Sequence, residues 1–333
     1  MKSWNKKTII NDDNQEVEAI TPFIISASRS TDIPSFFSKW FFNRLEKGYV
    51  TWKNPFNQKE QYISFDETKM IVFWSKNPKP IIPYLKELDK RDIKYYFQFT
   101  LNDYEKENLE PNVPKLENRI KTFIELSNMI GKEKVIWRFD PLILSDFITI
   151  NDLLQKIENI ANQIYKYTDK LVFSFADIGV YKKVQNNLYK QDTSFREFSQ
   201  NEIIEFATKL QQLNQKWNLI LSTCTEKIEL EKFDIIHNKC IDDELIYKIG
   251  KNDKKIRKWL GVGDTASLFG DEYSSNIKLK DKGQRKECGC IVSKDIGMYN
   301  TCNHLCTYCY ANHSVGLVQS NVKKHNFNNQ SIV

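Results

Sequence analysis

The chain has 333 residues, 41% hydrophobic and 28% charged, with a formal net charge of +6 spread thinly along it. That is enough for one large domain or two modest ones with a sizeable core, and the chain does not need disulfides to fold. The N-terminal MKSWNKKTIINDDNQEVEAI has no apolar core of a signal peptide, and no run approaches ~18 apolar residues, so a membrane span is excluded and a cytoplasmic protein with reduced thiols is expected.

Short β-branched and aromatic runs alternate with longer amphipathic ones. FIISAS (23–28) reads as the first strand, followed by a helix over 34–48. MIVFWS (70–75) is followed by a helix over 79–91, and YYFQFT (95–100) by one over 114–130, with Pro114 in its first turn and Gly131 after its last. VIWRFD (135–140) leads to 151–167, where Leu153, Leu154, Ile157, Ile160, Ala161 and Ile164 make one apolar stripe. LVFSFA (171–176), a helix over 199–216 and LILSTC (219–224) complete the series. Each strand is apolar almost throughout, as a strand covered on both faces of a parallel sheet reads. The expected class is α/β: a (β/α) barrel, partial or complete, with a doubly wound open sheet as the alternative. The chain divides into a barrel-like domain (1–243), a basic connection or small insertion (244–286) with one helix at most, and a cysteine-rich C-terminal segment (287–333).

The strand ends are polar. The first runs into Ser28, Arg29, Ser30, Thr31 and Asp32, and the second ends in Ser75, Lys76 and Asn77. The third carries Gln98, Thr100 and Asn102, and the fourth Arg138 and Asp140. The fifth offers Ser174 and Asp177, and the sixth Cys224 and Glu226. In β/α folds these ends share one catalytic rim, so Arg29, Asp32, Arg138, Asp140, Asp177 and Glu226 are the candidate catalytic residues. Asp32 and Thr31 also suit a helix cap near Pro34, and Asp140 before Pro141 suits a turn. A guanidinium at the end of a buried strand, at Arg29 or Arg138, must meet an anion, either a carboxylate or a ligand.

YNTCNHLCTYCYAN (299–312) places Cys302, Cys306 and Cys309 in a C-x3-C-x2-C array. Three thiolates at this spacing suit three corners of a [4Fe–4S] cube and leave one iron open. The string Asn300-Thr-Cys302-Asn303-His-Leu-Cys306-Thr-Tyr308-Cys309 resembles the cluster loop of radical S-adenosylmethionine (SAM) enzymes. That resemblance implies SAM bound at the open iron, its reductive cleavage to a 5′-deoxyadenosyl radical, and an external electron donor such as flavodoxin or ferredoxin. It also assigns Asn300, Asn303 and Tyr308 to the cofactor site. The Gly-Gly-Glu stretch that often contacts SAM in that superfamily is missing, so Ser75, Gln98, Arg138 and Ser174 stand in by position.

The landmarks SASRSTDIPSFF, WKNPFN, FWSKNP, QFTLN, WRFDP, CIDDELI and KDKGQRKECGC, with the terminal array, also resemble a bacterial family of unknown function that carries a radical-SAM-like cysteine cluster at its C-terminus. In ordinary radical SAM enzymes the loop follows the first strand. Here 292–300 would be a circularly permuted strand, docking beside FIISAS or LILSTC. Cys224, Cys240, Cys288 and Cys290 remain: they could complete a second [4Fe–4S] cluster or a zinc site, or be buried apolar thiols. Two other readings stay open. One is a zinc- or cluster-stabilised binding protein, with His304 or His313 as further ligands and Trp52, Trp74, Trp137 and Trp217 for stacking nucleic acid. The other is an acid–base enzyme working through Asp140, Asp177 or Glu226 with a structural cluster. The substrate is not legible.

Overall fold

The six apolar runs form strands Ile24–Ala27, Met70–Ser75, Lys94–Thr100, Val135–Leu142, Lys170–Phe175 and Ile220–Thr223. Each pairs in parallel with its neighbour in the chain. This is a computed structural model that describes residues 4–180, 182–190, 193–262, 273, 275 and 277–333. Two shorter strands extend the sheet to eight: Ile235–His237 beside Ile220–Thr223, and Lys294–Asp295 beside Ile24–Ala27. The strand expected within 292–300 thus docks on the first strand, in parallel.

The sheet does not close as a barrel, because its two edge strands do not pair with each other. Both are short, at 3 and 2 residues. Irregular backbone crosses the gap instead, where the Ile291 N–H donates to the Ile241 carbonyl at 3.1 Å.

Alternation along the strands sorts their side chains into two cores. Ile25, Ile71, Phe73, Phe97, Trp137, Leu171 and Phe173 face the surrounding helices. The stripe of helix Ile150–Ile164 packs there, started by a capping box between Thr149 and Asp152. Burying each Leu or Ile of such a stripe contributes roughly 1.5–3 kcal/mol. On the other face, Ile24, Met70, Val72, Tyr96, Ile136 and Val172 enclose a second core. Ile246 and Tyr247 of helix Asp243–Gly250 and Ile256 and Leu260 of helix Lys254–Leu260 fill it. The 244–286 connection therefore supplies two helices where one at most was expected, although 263–272 lie outside the described residues.

Other boundaries shift locally. The 34–48 helix divides into Ile33–Phe36 and Ser38–Lys47, and the 79–91 segment opens as a 3-10 turn, Lys79–Tyr84, with Pro83 inside. Helix Leu116–Ile130 starts after Pro114, whose carbonyl accepts from Arg119 Nε at 2.8 Å, and ends at Gly131 with φ +99°. A four-stranded sheet, Asn5–Ile10, Glu16–Thr21, Glu60–Ser64 and Tyr49–Lys53, was not anticipated. The residues after helix Val315–Lys324 dock on this side, where Thr51 N–H donates to Gln330 O at 2.8 Å.

Candidate metal centre and active site

At the C-terminal ends of the strands lies a cavity of about 390 Å³, and all seven cysteines line it. Arg29, Asp32, Ser75, Lys76, Arg138, Asp140, Ser174, Asp177 and Glu226 reach the same cavity. Parallel strands deliver successive C-terminal ends to one rim, so residues far apart in sequence meet there.

The first strand end is organised by Asp295, which the sequence reading did not single out. Its carboxylate accepts from Ser26 Oγ at 2.7 Å, Ser28 Oγ at 2.8 Å, Arg29 N–H at 2.9 Å and Gly297 N–H at 2.8 Å. Four donors on one partly buried carboxylate fasten the final strand to the first.

Asp32 both caps a helix and positions the cysteine loop. Oδ1 accepts from Ser35 N–H at 2.9 Å and Ser75 Oγ at 2.8 Å. Oδ2 accepts from Lys76 N–H at 2.8 Å and faces His304 Nε2 at 2.8 Å. His304 lies between Cys302 and Cys306, and its Nδ1 faces Asn112 O at 3.3 Å. His304, weighed as a zinc ligand, is thus engaged at both ring nitrogens, and Ser75 is spent on Asp32.

Tyr308 sits in a second buried network. Lys76 Nζ donates to Glu110 Oε1 at 2.7 Å and to Tyr308 Oη at 2.9 Å. Asn102 Nδ2 donates to Glu110 Oε1 at 3.0 Å and to Tyr308 Oη at 3.0 Å, and the Tyr308 hydroxyl itself donates to Glu110. Burial pushes the Glu110 carboxyl up, but Lys76 and Arg119 outweigh it and hold the pKa at about 2. The backbone around Glu110 completes the cradle: Thr307 N–H donates to Leu109 O at 2.9 Å, and Asn112 N–H to His304 O at 3.2 Å. Glu110 follows no strand directly, which is why strand-end reasoning passed over it.

The fourth strand end meets its anion inside the protein. Arg138 pairs with Asp140, and Nη1 donates to Gln98 Oε1 at 3.2 Å and Cys240 Sγ at 3.1 Å. Ser174 donates to Asp140 Oδ1. Gln98 Nε2 is spent on Cys240 O at 2.9 Å, and Gln98 does not line the cavity. Gln98 and Ser174 therefore serve Arg138 and Asp140 in this structure. Arg29 lies over the Trp74 ring, 5.1 Å from its centroid, and its buried Nη2 has no hydrogen-bond partner. Asp177 pairs with Arg285 Nη1 at 2.7 Å. Glu226 Oε1 accepts from Phe175 N–H at 2.9 Å, and burial, with Asp177 and Asp140 nearby, raises its pKa to about 7. Trp137 and Trp217, weighed as stacking residues, are core side chains, 0% and 5% exposed.

A family model described as a domain of unknown function, DUF1848, matches residues 24–311. The chain belongs to the DUF1848 family. The matched span contains the sheet from its first strand onward and every cysteine. No curated protein matches the sequence. Among solved structures it is similar to a Bacteroides thetaiotaomicron protein described as a "putative alpha-L-fucosidase", at 11% identity and a TM-score of 0.25, covering 59% of this chain and 83% of that one.

In this DUF1848 chain the terminal array is a shaped loop. Asn300 and Leu305 take positive φ, of 59° and 55°. Asn300 closes the loop: its N–H donates to Ala311 O at 3.1 Å and its Oδ1 accepts from His313 N–H at 2.5 Å. Asn303 O accepts from Asn112 Nδ2 at 2.8 Å, and Cys302 O from Asn312 Nδ2 at 2.8 Å. Burial holds the Cys306 thiol well above its ordinary pKa; Lys76 opposes this, while Glu110, Cys309 and Cys302 add to it. Among the described residues, no three His, Cys, Asp or Glu side chains are gathered about a single ion position. The three thiols line one cavity, on a loop pinned by Asp32, Glu110 and Asn112.

Proposed function

We propose that this protein is an iron–sulfur enzyme of the radical SAM type, with its cluster loop carried on a permuted last strand. The observation that supports it best is that Cys302, Cys306 and Cys309 line the same cavity as the polar ends of the parallel strands, although they come last in the sequence. Cys302, Cys306 and Cys309 would hold a [4Fe–4S] cluster, which would bind SAM and pass it one electron from an external donor for its reductive cleavage.

This chain's own residues do the rest. Asp32 and Glu110 fix the loop through His304 and Tyr308. Trp74, Ile143, Phe175, Val184 and Leu188 give the cavity apolar wall that excludes water from a reactive species. Glu226, with a pKa near 7, holds or accepts a proton at its carboxyl. Asp140 keeps Arg138 aimed at the rim.

Anaerobic reconstitution with iron and sulfide, followed by a 5′-deoxyadenosine assay with SAM and a strong reductant, tests the proposal. Turnover is expected in the wild type and none in folded Cys302→Ser protein. An intact cluster that binds SAM yet yields no 5′-deoxyadenosine with any reductant would refute the radical chemistry.

A further inference from the structure

The remaining four cysteines line the same cavity. They come from three places: Cys224 at the end of strand Ile220–Thr223, Cys240 just after the edge strand Ile235–His237, and Cys288 and Cys290 just before the final strand. Cys240, Cys288 and Cys290 are 5%, 6% and 1% exposed. Cys224 Sγ and Cys240 Sγ stand 3.5 Å apart.

They border the second core, yet hydrogen-bond donors reach two of the sulfurs. Cys240 Sγ receives Arg138 Nη1 at 3.1 Å and Asn238 Nδ2 at 3.2 Å, and Cys290 Sγ receives the Ile241 N–H at 3.4 Å. Donors of this kind around metal-bound sulfur orient the ligands and stabilise their charge. Arg29, whose buried Nη2 lacks a hydrogen-bond partner, lines the same cavity as these four cysteines. A guanidinium nitrogen buried without a hydrogen-bond partner is costly unless a negative charge faces it. A metal bound by four thiolates has that charge, since four negative sulfurs exceed the charge of either Zn²⁺ or a [4Fe–4S]²⁺ core.

We infer that Cys224, Cys240, Cys288 and Cys290 bind a second, tetrathiolate metal centre, an iron–sulfur cluster or a zinc ion, in the cavity that the terminal array also lines. The inference does not depend on the radical reading. The sulfurs are not gathered about one point among the described residues; binding completes that step, because thiolate ligation and local ordering are coupled. The Ile291-to-Ile241 hydrogen bond links the segments that carry Cys240 and Cys290, so the centre would also tie the two open edges of the sheet together.

The test is metal and sulfide analysis of full-length protein purified anaerobically with iron and zinc supplied. The Cys302→Ser/Cys306→Ser/Cys309→Ser variant is expected to retain one centre. That centre is either about four iron with matching sulfide or about one zinc per chain. Cys240→Ser/Cys290→Ser in the otherwise native chain is expected to lose that amount and keep the other site. If the triple variant does not fold, thiol alkylation of the native chain decides: four extra cysteines should be protected until a chelator is added. For an iron–sulfur centre, Arg29→Met should lower its midpoint potential, because a nearby cation favours the reduced, more negative cluster. Folded triple variant without metal, unchanged metal content in the Cys240/Cys290 variant, or a Cys224–Cys240 disulfide in anaerobic protein would each overturn the inference.

Discussion

Glu110→Gln isolates the buried charge that supports the cysteine loop. The substitution keeps shape and hydrogen-bonding capacity but leaves Lys76 and Arg119 without their shared anion, at 2.7 and 3.7 Å. Glu110 is held at about 2 against an ordinary 4.5, a difference of about 2.5 units at ~1.36 kcal/mol each, or about 3 kcal/mol. Removing one partner of a buried pair costs about 3–5 kcal/mol, in agreement. The folded pKa lies below the unfolded one, so this stability is complete above about pH 4.5 and is lost as pH falls toward 2. At roughly 2 °C per kcal/mol for a chain of this size, the variant should melt about 6 °C below the wild type at pH 7. The gap should shrink as the two are compared in acid. Because Tyr308 rests on this carboxylate, the variant should also take up less iron on reconstitution. Equal melting at pH 7, or a gap that does not change in acid, would refute the electrostatic account of the loop's support.

Gly297→Ala tests the docking of the final strand. An added Cβ would lie 1.8 Å from Ser28 Oγ and 2.6 Å from Ser30 Oγ, so a loss of about 1–3 kcal/mol is expected by denaturant titration; an unchanged midpoint would show that this approach is not tight. Lys294 is mostly buried over the Trp52 ring, 3.4 Å from its centroid, and burial lowers its pKa to about 8 against the opposing pull of Asp295. The unfolded chain holds more protons between pH 8 and 10.5, so the charged lysine's penalty is full below pH 8 and fades above it. Lys294→Met should therefore stabilise the protein at pH 7 by about 1–3 kcal/mol after loss of the cation–π contact, with no gain near pH 11; a less stable variant at pH 7 would count against this.

What the sequence showed clearly was what repeats. Met70–Ser75 appears as a strand to the residue, because an unbroken apolar run between polar ends has few other ways to be buried. Cys302, Cys306 and Cys309 were legible because their donors lie within one loop. Glu110, Asp295 and Asn112 were not, since each acts through a partner 190 or more residues away, as Tyr308 is from Glu110 and Asn303 from Asn112. The Asn5–Ile10 and Glu16–Thr21 hairpin was missed because its first strand is largely exposed and presents no apolar run. Closure into a complete barrel was over-read: the pattern of parallel strands is the same for an open sheet, and the two edge strands here do not pair with each other.

The supports of the cysteine loop explain how it can come last in the chain and still belong to the rim. Asp32, Lys76 and the Leu109–Asn112 backbone follow the first, second and third strands of the parallel series. Lys294–Asp295 pairs directly with the first of these strands, so the loop that follows it emerges beside their ends. The Asp295 carboxylate and Gly297 lock that placement: one gathers donors from Ser26, Ser28 and Arg29, and the other lets the backbone approach Ser28. Spatial neighbours, and not chain order, decide which charges and hydrogen bonds reach the thiols. Under the proposed reading, moving this strand–loop unit from one end of the sequence to the other would leave its contacts intact, provided the junction with the first strand survives. That junction is where the arrangement is vulnerable: a substitution at Asp295 or Gly297 should displace the cysteine loop without touching a cysteine.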